Sequence, residues 1–223
     1  MSIAENLSQI KSTLLPDADL VAVSKTKPAS FIEEAYATGQ RIFGENRPQE
    51  MKSKAEELPK DIEWHMIGHL QSKKTKYIAP FVSLIHSVDK LSLLQEINKR
   101  AAQNERVINV LLQVFIAKEE SKFGMDEQEV EELLNSENFK GLENICVVGL
   151  MGMATNTDDE NVVREEFKGL KVFFDSIKNS TMPTQLNLAE FSILSMGMSG
   201  DYKIAMEEGS NMIRIGSSIF GSR

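Results

Sequence analysis

Short apolar runs alternate along this chain with stretches whose apolar residues recur every three or four positions. The first such stretch puts Ile3, Leu7, Ile10 and Leu14 on one face of a helix over 2–15. Ser2 and Glu5 have capping-box spacing at its start, and Pro16-Asp17 ends it. An apolar run at 20–24 then reads as a strand. Pro28 suits the first turn of the next helix, whose apolar face is Phe31, Ile32, Ala35 and Tyr36, with Gly39 as its C-cap. The same alternation continues with a strand at 41–45, a helix at about 47–58, and a strand at 63–68 followed by a polar loop and a short helix. Next come a strand at 81–86 and a helix capped by Asp89 with Leu91, Leu94 and Ile97 inward. A long strand spans 107–116. Asp126 and Glu129 repeat the capping spacing ahead of Val130, Leu133 and Leu134. The series closes with a strand at 145–150, a helix at about 158–178, a strand at 191–196, a helix at about 201–208 and a strand at 211–215.

Strands that are short, nearly continuous apolar runs are those covered on both faces, as in parallel sheets. Some eight strand–helix units in 223 residues match the lower size range of a (β/α)8 barrel. We therefore expect an α/β fold: a single (β/α)8 TIM barrel over 1–223, with an extra N-terminal helix. An open doubly wound sheet is the alternative, and it requires a reversal of strand order that sequence does not display.

Composition narrows the function. At 41% hydrophobic and 26% charged, the chain has the balance of a soluble globular protein. A net charge of −8 without a basic block argues against nucleic acid and anionic membrane as partners. The single cysteine, Cys146, lies in an apolar run and reads as a small core residue, which fits a reducing compartment. No signal pattern opens the chain, and no apolar run nears the ~20 residues of a membrane span. The expected location is cytoplasmic.

Barrel chemistry gathers at the C-terminal ends of strands. The first strand ends in Ser24-Lys25-Thr26-Lys27-Pro28. A lysine at the end of a buried strand can lose its proton and attack a carbonyl, although Lys25 and Lys27 taken alone read first as loop charges. The seventh end, Ser195 to Asp201, and the eighth, Arg214-Ile215-Gly216-Ser217-Ser218, carry glycine and serine just before a helix start. Glycines let backbone approach an anion, and helix N–H groups and hydroxyls donate to it. Two such loops after the last strands, with a lysine on the first, point to an aldehyde that bears a phosphate. Arg214 shares a strand face with Gly216 and stays charged, so against a pyridine nitrogen it would keep that nitrogen unprotonated. An ion pair with a strand-end carboxylate is its alternative. His65 and His69 straddle Gly68 at a strand end, a poor geometry for a metal pair. Asn46 reads first as a cap for the following helix. Met151, Met153, Met196 and Met198 cluster at strand ends and could form an apolar wall.

In order along the chain, Val21-Ala22-Val23-Ser24-Lys25-Thr26-Lys27-Pro28, Phe43-Gly44-Glu45-Asn46, Glu63-Trp64-His65-Met66-Ile67-Gly68, Ser195-Met196-Gly197-Met198-Ser199 and Arg214-Ile215-Gly216 resemble the pyridoxal phosphate homeostasis proteins. The resemblance runs from about residue 3 to the C-terminus. It implies a barrel similar to the N-terminal domain of alanine racemase, with pyridoxal 5′-phosphate held as an imine on Lys25. It implies phosphate contacts from Ser199, Gly216 and Ser217, and Arg214 facing the pyridine nitrogen. Asn46 and His65 would lie near the cofactor, and the expected cofactor set also includes Ser195. The sequence departs from the family pattern at Arg47-Pro48, at His69, at Lys73 and in the loop Lys118-Glu119-Glu120, which bears on the pocket rim and partner surface.

The resemblance implies a monomeric, non-catalytic carrier that buffers pyridoxal phosphate and delivers it to apo-enzymes. The alternative is a weak amino-acid racemase. Racemisation needs a base on each face of the substrate carbon and an electron sink. The three tyrosines, Tyr36, Tyr77 and Tyr202, are not obviously opposite Lys25, and Arg214 argues for a weak sink. A Schiff-base aldolase acting on a phosphorylated sugar would share the lysine-plus-phosphate layout. Lys27, beside the imine, could accept the aldehyde on transfer.

Overall fold

Eight parallel strands close into a barrel in which each pairs with its sequence neighbours and the last returns to the first. The computed structural model describes residues 2–117, 123–180 and 191–221. The strands are β1 (Asp19–Val23), β2 (Ile42–Glu45), β3 (Glu63–Met66), β4 (Leu84–Val88), β5 (Ile108–Gln113), β6 (Ile145–Met151), β7 (Ile193–Ser195) and β8 (Met212–Ile215). The closed barrel excludes the open doubly wound sheet.

Helix α1 (Ile3–Lys11) precedes β1. Both halves of its capping box form, with Ser2 Oγ accepting from the Glu5 N–H at 3.2 Å and Glu5 Oε2 accepting from the Ser2 N–H at 2.8 Å. It buries Ile3, Leu7 and Ile10 but stops before Leu14, and Leu15 is exposed. The outer helices that matter for the site are α2 (Ala29–Ala37), α3 (Pro48–Glu57) and α4 (Leu91–Gln103). Farther along lie α5 (Glu127–Asn135), α6 (Glu137–Lys140), α7 (Glu160–Asn179), α8 (Tyr202–Glu207) and α9 (Ser217–Phe220). A 3-10 helix over Ser72–Tyr77 follows β3. The capping box at Asp126 and Glu129 is present on α5.

Several expected boundaries move. The fourth strand is 84–88, not 81–86. Ile78, Ala79 and Val82 continue a helical turn, with the Val82 N–H donating to Ile78 O at 2.8 Å, so pairing to β3 begins only at Ser83. The shift keeps His86 in the strand and adds Ser87 and Val88. Asp89 does not cap α4; Lys90 occupies that position without a side-chain cap, and Asp89 instead lies 3.5 Å from His69 Nδ1. The fifth strand ends at Gln113, beyond which Val114 makes a single bridge to Met125. Pro28 is the N-cap of α2 and not its first turn. Helices α6 and α9 are four-residue elements that the periodicity did not reveal, being too short for an apolar repeat to register.

The core has two layers. One lies between strands and helices and includes Phe43, Met66, Ile85, Leu112 and Phe167. The other is the barrel interior, where Val21, Leu84, Leu111, Val148, Met151 and Met212 meet, with half-buried Cys146 packed against them. Alternation along a strand sends neighbours to opposite layers. Met212 thus shares its side with Arg214, which sits in register beside Val21. Among the described residues, no helix is long and apolar enough to cross a membrane.

Candidate functional site

The apolar run of β1 ends in a turn. The Lys27 N–H donates to Ser24 O at 3.0 Å, and Thr26 takes the left-handed conformation with φ +65°. Lys25 follows Val21 and Val23 in parity and is half-buried. It lines a small cleft with Val23, Thr26, Lys27, Gly216, Ser217 and Gly221. Lys27 shares the cleft, but its ammonium lies 5.9 Å from the Phe31 ring centroid, on the α2 side.

The opposite wall is built from the last two strand ends. A Cβ at Gly216 would come within 3.1 Å of Val23 O, so the missing side chain is what lets the β8 end lie against the β1 end. α9 starts at Ser217, whose hydroxyl lies 3.3 Å from that of Ser199. Gly197, with φ +95°, lets α8 close on β7, since a Cβ there would meet Ala205 Cβ at 2.6 Å. Its carbonyl accepts from the Arg214 N–H at 3.0 Å, which ties the two loops together. Asp201 accepts from the Met198 N–H at 2.5 Å; burial pushes its carboxyl above the usual range.

A chain of polar side chains crosses the barrel interior behind this cleft. Arg214, almost fully buried, donates from Nη1 to Ser195 Oγ at 2.6 Å and from Nη2 to Gly152 O at 3.1 Å. Ser195 Oγ lies 3.1 Å from His86 Nδ1, and His86 Nε2 lies 3.1 Å from His65 Nδ1. A guanidinium only donates, so Ser195 Oγ accepts from Arg214, and the hydroxyl keeps one proton to give and one lone pair with which to meet His86 Nδ1. A neutral imidazole donates from one nitrogen and accepts at the other, so the His86 tautomer decides whether Nε2 gives a hydrogen to His65 Nδ1 or takes one from it. Arg214 anchors one end of the chain, and the histidine tautomers set its direction. Burial pushes His65 down to about 3 and His86 well below its ordinary value, so both rings are neutral near pH 7. Burial also lowers Arg214 to about 10, against the pull of Asp201, and it remains a cation.

A second buried network faces α3 on the outside of the barrel wall. Ser24 Oγ donates to Glu45 Oε1 at 2.6 Å. Lys54 Nζ, from α3, donates to Glu45 Oε1 at 2.7 Å, to Glu50 Oε1 at 2.8 Å and to Ser24 O at 2.9 Å. Glu50 Oε1 also accepts from the Thr26 N–H at 2.6 Å. Burial raises the Glu45 carboxyl, and its Oε2 has no hydrogen-bond partner among the described residues. Burial also pushes Glu50 upward, but Lys54 and the Thr26 N–H outweigh it and hold the carboxyl below its usual value.

The expected residues thus fall into two groups that meet at the strand ends: Lys25, Ser199, Gly216 and Ser217 around the cleft, and His65, Ser195 and Arg214 in the interior chain. Asn46 is half-buried, with its backbone pressed against Gly68, where a Cβ would lie 2.6 Å from Asn46 O. It does not cap the following helix, because Arg47 is the N-cap of α3. His69 lies tilted against the Phe123 ring, 5.4 Å between centroids, and faces Asp89, apart from His65. Met151 and Met196 are buried, whereas Met153 and Met198 are exposed, so the four do not make one wall. Tyr36 donates to Asp61, and Tyr202 OH lies 3.1 Å from Thr13 Oγ1. Tyr77 lies beneath the Lys76 ammonium, 5.1 Å from ring centroid to nitrogen. The loop Lys118-Glu119-Glu120 lies outside the described residues. Sequence reasoning missed His86, Glu45, Glu50 and Lys54. His86 stood at the end of the expected fourth strand without a motif to single it out, and the other three lie on the face that strand-end reasoning ignores.

The model of the family described as alanine racemase, N-terminal domain, matches residues 1–223. A pyridoxal phosphate homeostasis protein of Aquifex aeolicus is 41% identical over 207 residues, covering 92% of this chain and 87% of its own. Another, of Vibrio alginolyticus, is 38% identical over 237 residues, with 100% and 98% covered. The structure of PipY from Synechococcus elongatus with PLP bound superposes with a TM-score of 0.88 at 36% identity, covering 99% of this chain and 100% of that one. Alanine racemase of Clostridium difficile shares the fold, with a TM-score of 0.77 at 17% identity, and this chain spans 56% of it.

Proposed function

The chain belongs to the alanine racemase N-terminal-domain family, among the pyridoxal phosphate homeostasis proteins, and from that premise we propose that it holds pyridoxal 5′-phosphate on Lys25 and buffers and delivers it. The observation that carries this reading is one cleft lined by both Lys25 and the Gly216–Ser217 helix start. The residues fit the group. An amine faces the place where a phosphate would be gripped, and the Gly216 approach leaves backbone N–H groups uncovered by any side chain. Pyridoxal phosphate, when bound, supplies an aldehyde that condenses with amines and a ring that accepts electrons.

In this reading Lys25 Nζ bonds to the aldehyde carbon, while Ser199, Gly216 and Ser217 hold the phosphate. Arg214 faces the pyridine nitrogen, with Ser195 fixing its guanidinium. Asn46 and His65 border the ring. A guanidinium has no proton to give at neutral pH and leaves the ring nitrogen unprotonated, which weakens the electron sink. The three tyrosines are engaged elsewhere, and both interior histidines are neutral with a nitrogen already occupied. These features favour a carrier that regulates vitamin B6 and amino-acid balance over a racemase. The reading includes a single monomeric domain, a cytoplasmic setting and apo-enzymes as recipients.

Incubation with pyridoxal phosphate should turn the protein yellow, and Lys25→Ala should abolish the colour. A wild-type protein that stays colourless overturns the reading. Exchange of the α-hydrogen of alanine in deuterated water, well above that of free cofactor, would replace the carrier with a racemase.

A further inference from the structure

Lys25 sits between two residues whose backbones are held from the other side of the barrel wall. The Ser24 carbonyl accepts from Lys54, and the Thr26 N–H donates to Glu50. Thr26 is at φ +65°, which a β-branched residue adopts only at a cost. The turn from Ser24 to Lys27 places Thr26 at its third position, where glycine or asparagine is the natural occupant. A strained residue persists where its surroundings over-determine it, and such strain clusters at functional sites.

Lys54 supplies the over-determination. Its three N–H bonds go to Ser24 O, Glu45 and Glu50, and Glu45 in turn takes the Ser24 hydroxyl. Surface pairing would not require this, since the Lys54 and Glu45 side chains are almost wholly buried. We infer that Glu45, Lys54 and Glu50 form a clamp that holds the Thr26 strain and so fixes the direction of Lys25 for covalent attachment. They are positioning residues and touch no ligand. The inference rests on the reading that Lys25 takes the aldehyde. In that step the amine nitrogen bonds to the aldehyde carbon, and the aldehyde oxygen leaves as water.

Two ligands separate positioning from general damage. Pyridoxal phosphate reports attachment through its colour. Pyridoxine 5′-phosphate has the same ring and phosphate but no aldehyde, and its binding reports only the loops around Gly216. For Glu50→Ala, pyridoxal phosphate affinity should fall about ten-fold as the strain is released, while pyridoxine phosphate affinity stays within about two-fold. Thr26→Gly relieves the strain itself, so Thr26→Gly/Glu50→Ala should recover most of the lost affinity. In the ligand-free protein, exchange of the Thr26 amide should accelerate about ten-fold in Glu50→Ala.

Equal weakening of both ligands, or no recovery with glycine, overturns the clamp. A yellow wild type with an unchanged Glu50→Ala variant removes the clamp alone. A colourless wild type removes the covalent reading itself, and the clamp on attachment with it.

Discussion

Two buried polar networks lie on opposite sides of the barrel wall and are built on opposite principles. The outer one, Ser24–Glu45–Lys54–Glu50, sets the Lys54 ammonium between two carboxyl groups, and it fastens backbone on either side of Lys25. The inner one, Arg214–Ser195–His86–His65, has one cation followed by neutral groups that pass a hydrogen bond along. The outer network fixes position, whereas the inner one fixes where protons reside. Alternation along single strands separates them: Ser24 faces out and Lys25 follows the inward parity of Val21. A strand-end lysine thereby receives a held backbone on one side and a neighbourhood of defined protonation on the other.

The largest difference should appear in acid. Both interior histidines have folded pKa values below the ordinary 6.5, so the unfolded chain binds protons that the folded chain refuses. Their stabilisation is fully present above pH 6.5 and is lost as pH falls through the folded values, about 3 for His65 and well below 6.5 for His86. The loss is roughly 1 kcal/mol per pH unit for each ring. Urea unfolding across this range should show that slope, and His86→Asn should flatten it despite being less stable at neutral pH. An unchanged slope would mean that the rings are not neutral in the fold.

Lys54→Met comes next. It leaves the Glu45 and Glu50 carboxyl groups without their shared cation, a loss of about 3–5 kcal/mol, tempered by the access Glu50 has to water. A urea midpoint like that of wild type would show that the outer network is ornamental. Ser195→Ala should cost about 1–3 kcal/mol, because Arg214 Nη1 loses its acceptor and His86 Nδ1 loses its partner. Nitrogen chemical shifts should then show the tautomer balance of His86 changing. If they do not change, Ser195 does not fix the His86 tautomer.

The two networks were unequally legible in the sequence. Barrel topology follows from short apolar runs alternating with helical periodicity, and Lys25, Gly216 and Ser217 stand at strand ends where barrels carry function. Arg214 could be placed inward by parity alone. His86 ended the expected fourth strand, but its partners Ser195 and His65 come from other strands, and only closure of the barrel brings the three together. The outer network had no local signature at all. Glu45 lies inside a strand motif and Lys54 on a mostly polar helix, and only folding brings them within 2.7 Å. Burial of a charge pair is a tertiary fact that single-residue chemistry does not announce.

The smallest effect discriminates most finely. Glu45 Oε1 takes both Ser24 and Lys54 while Oε2 has no partner among the described residues, and burial raises the carboxyl above 4.5. A raised carboxyl contributes stability that is fully present below 4.5 and lost as pH climbs through the folded value. In Glu45→Gln the carbonyl can accept the same two bonds, and the amide nitrogen takes the unpartnered place. The gap between wild type and variant should therefore be widest in acid and narrow to about 1 kcal/mol near neutrality. This runs opposite to the histidine chain, which weakens in acid, so the two networks bend the stability curve in contrary directions. A gap that widens toward neutral pH would mean that Lys54 keeps Glu45 ionised against burial. The outer network would then be a true ion triad, and Lys54 would hold Ser24 and Glu50 with full charge on every member.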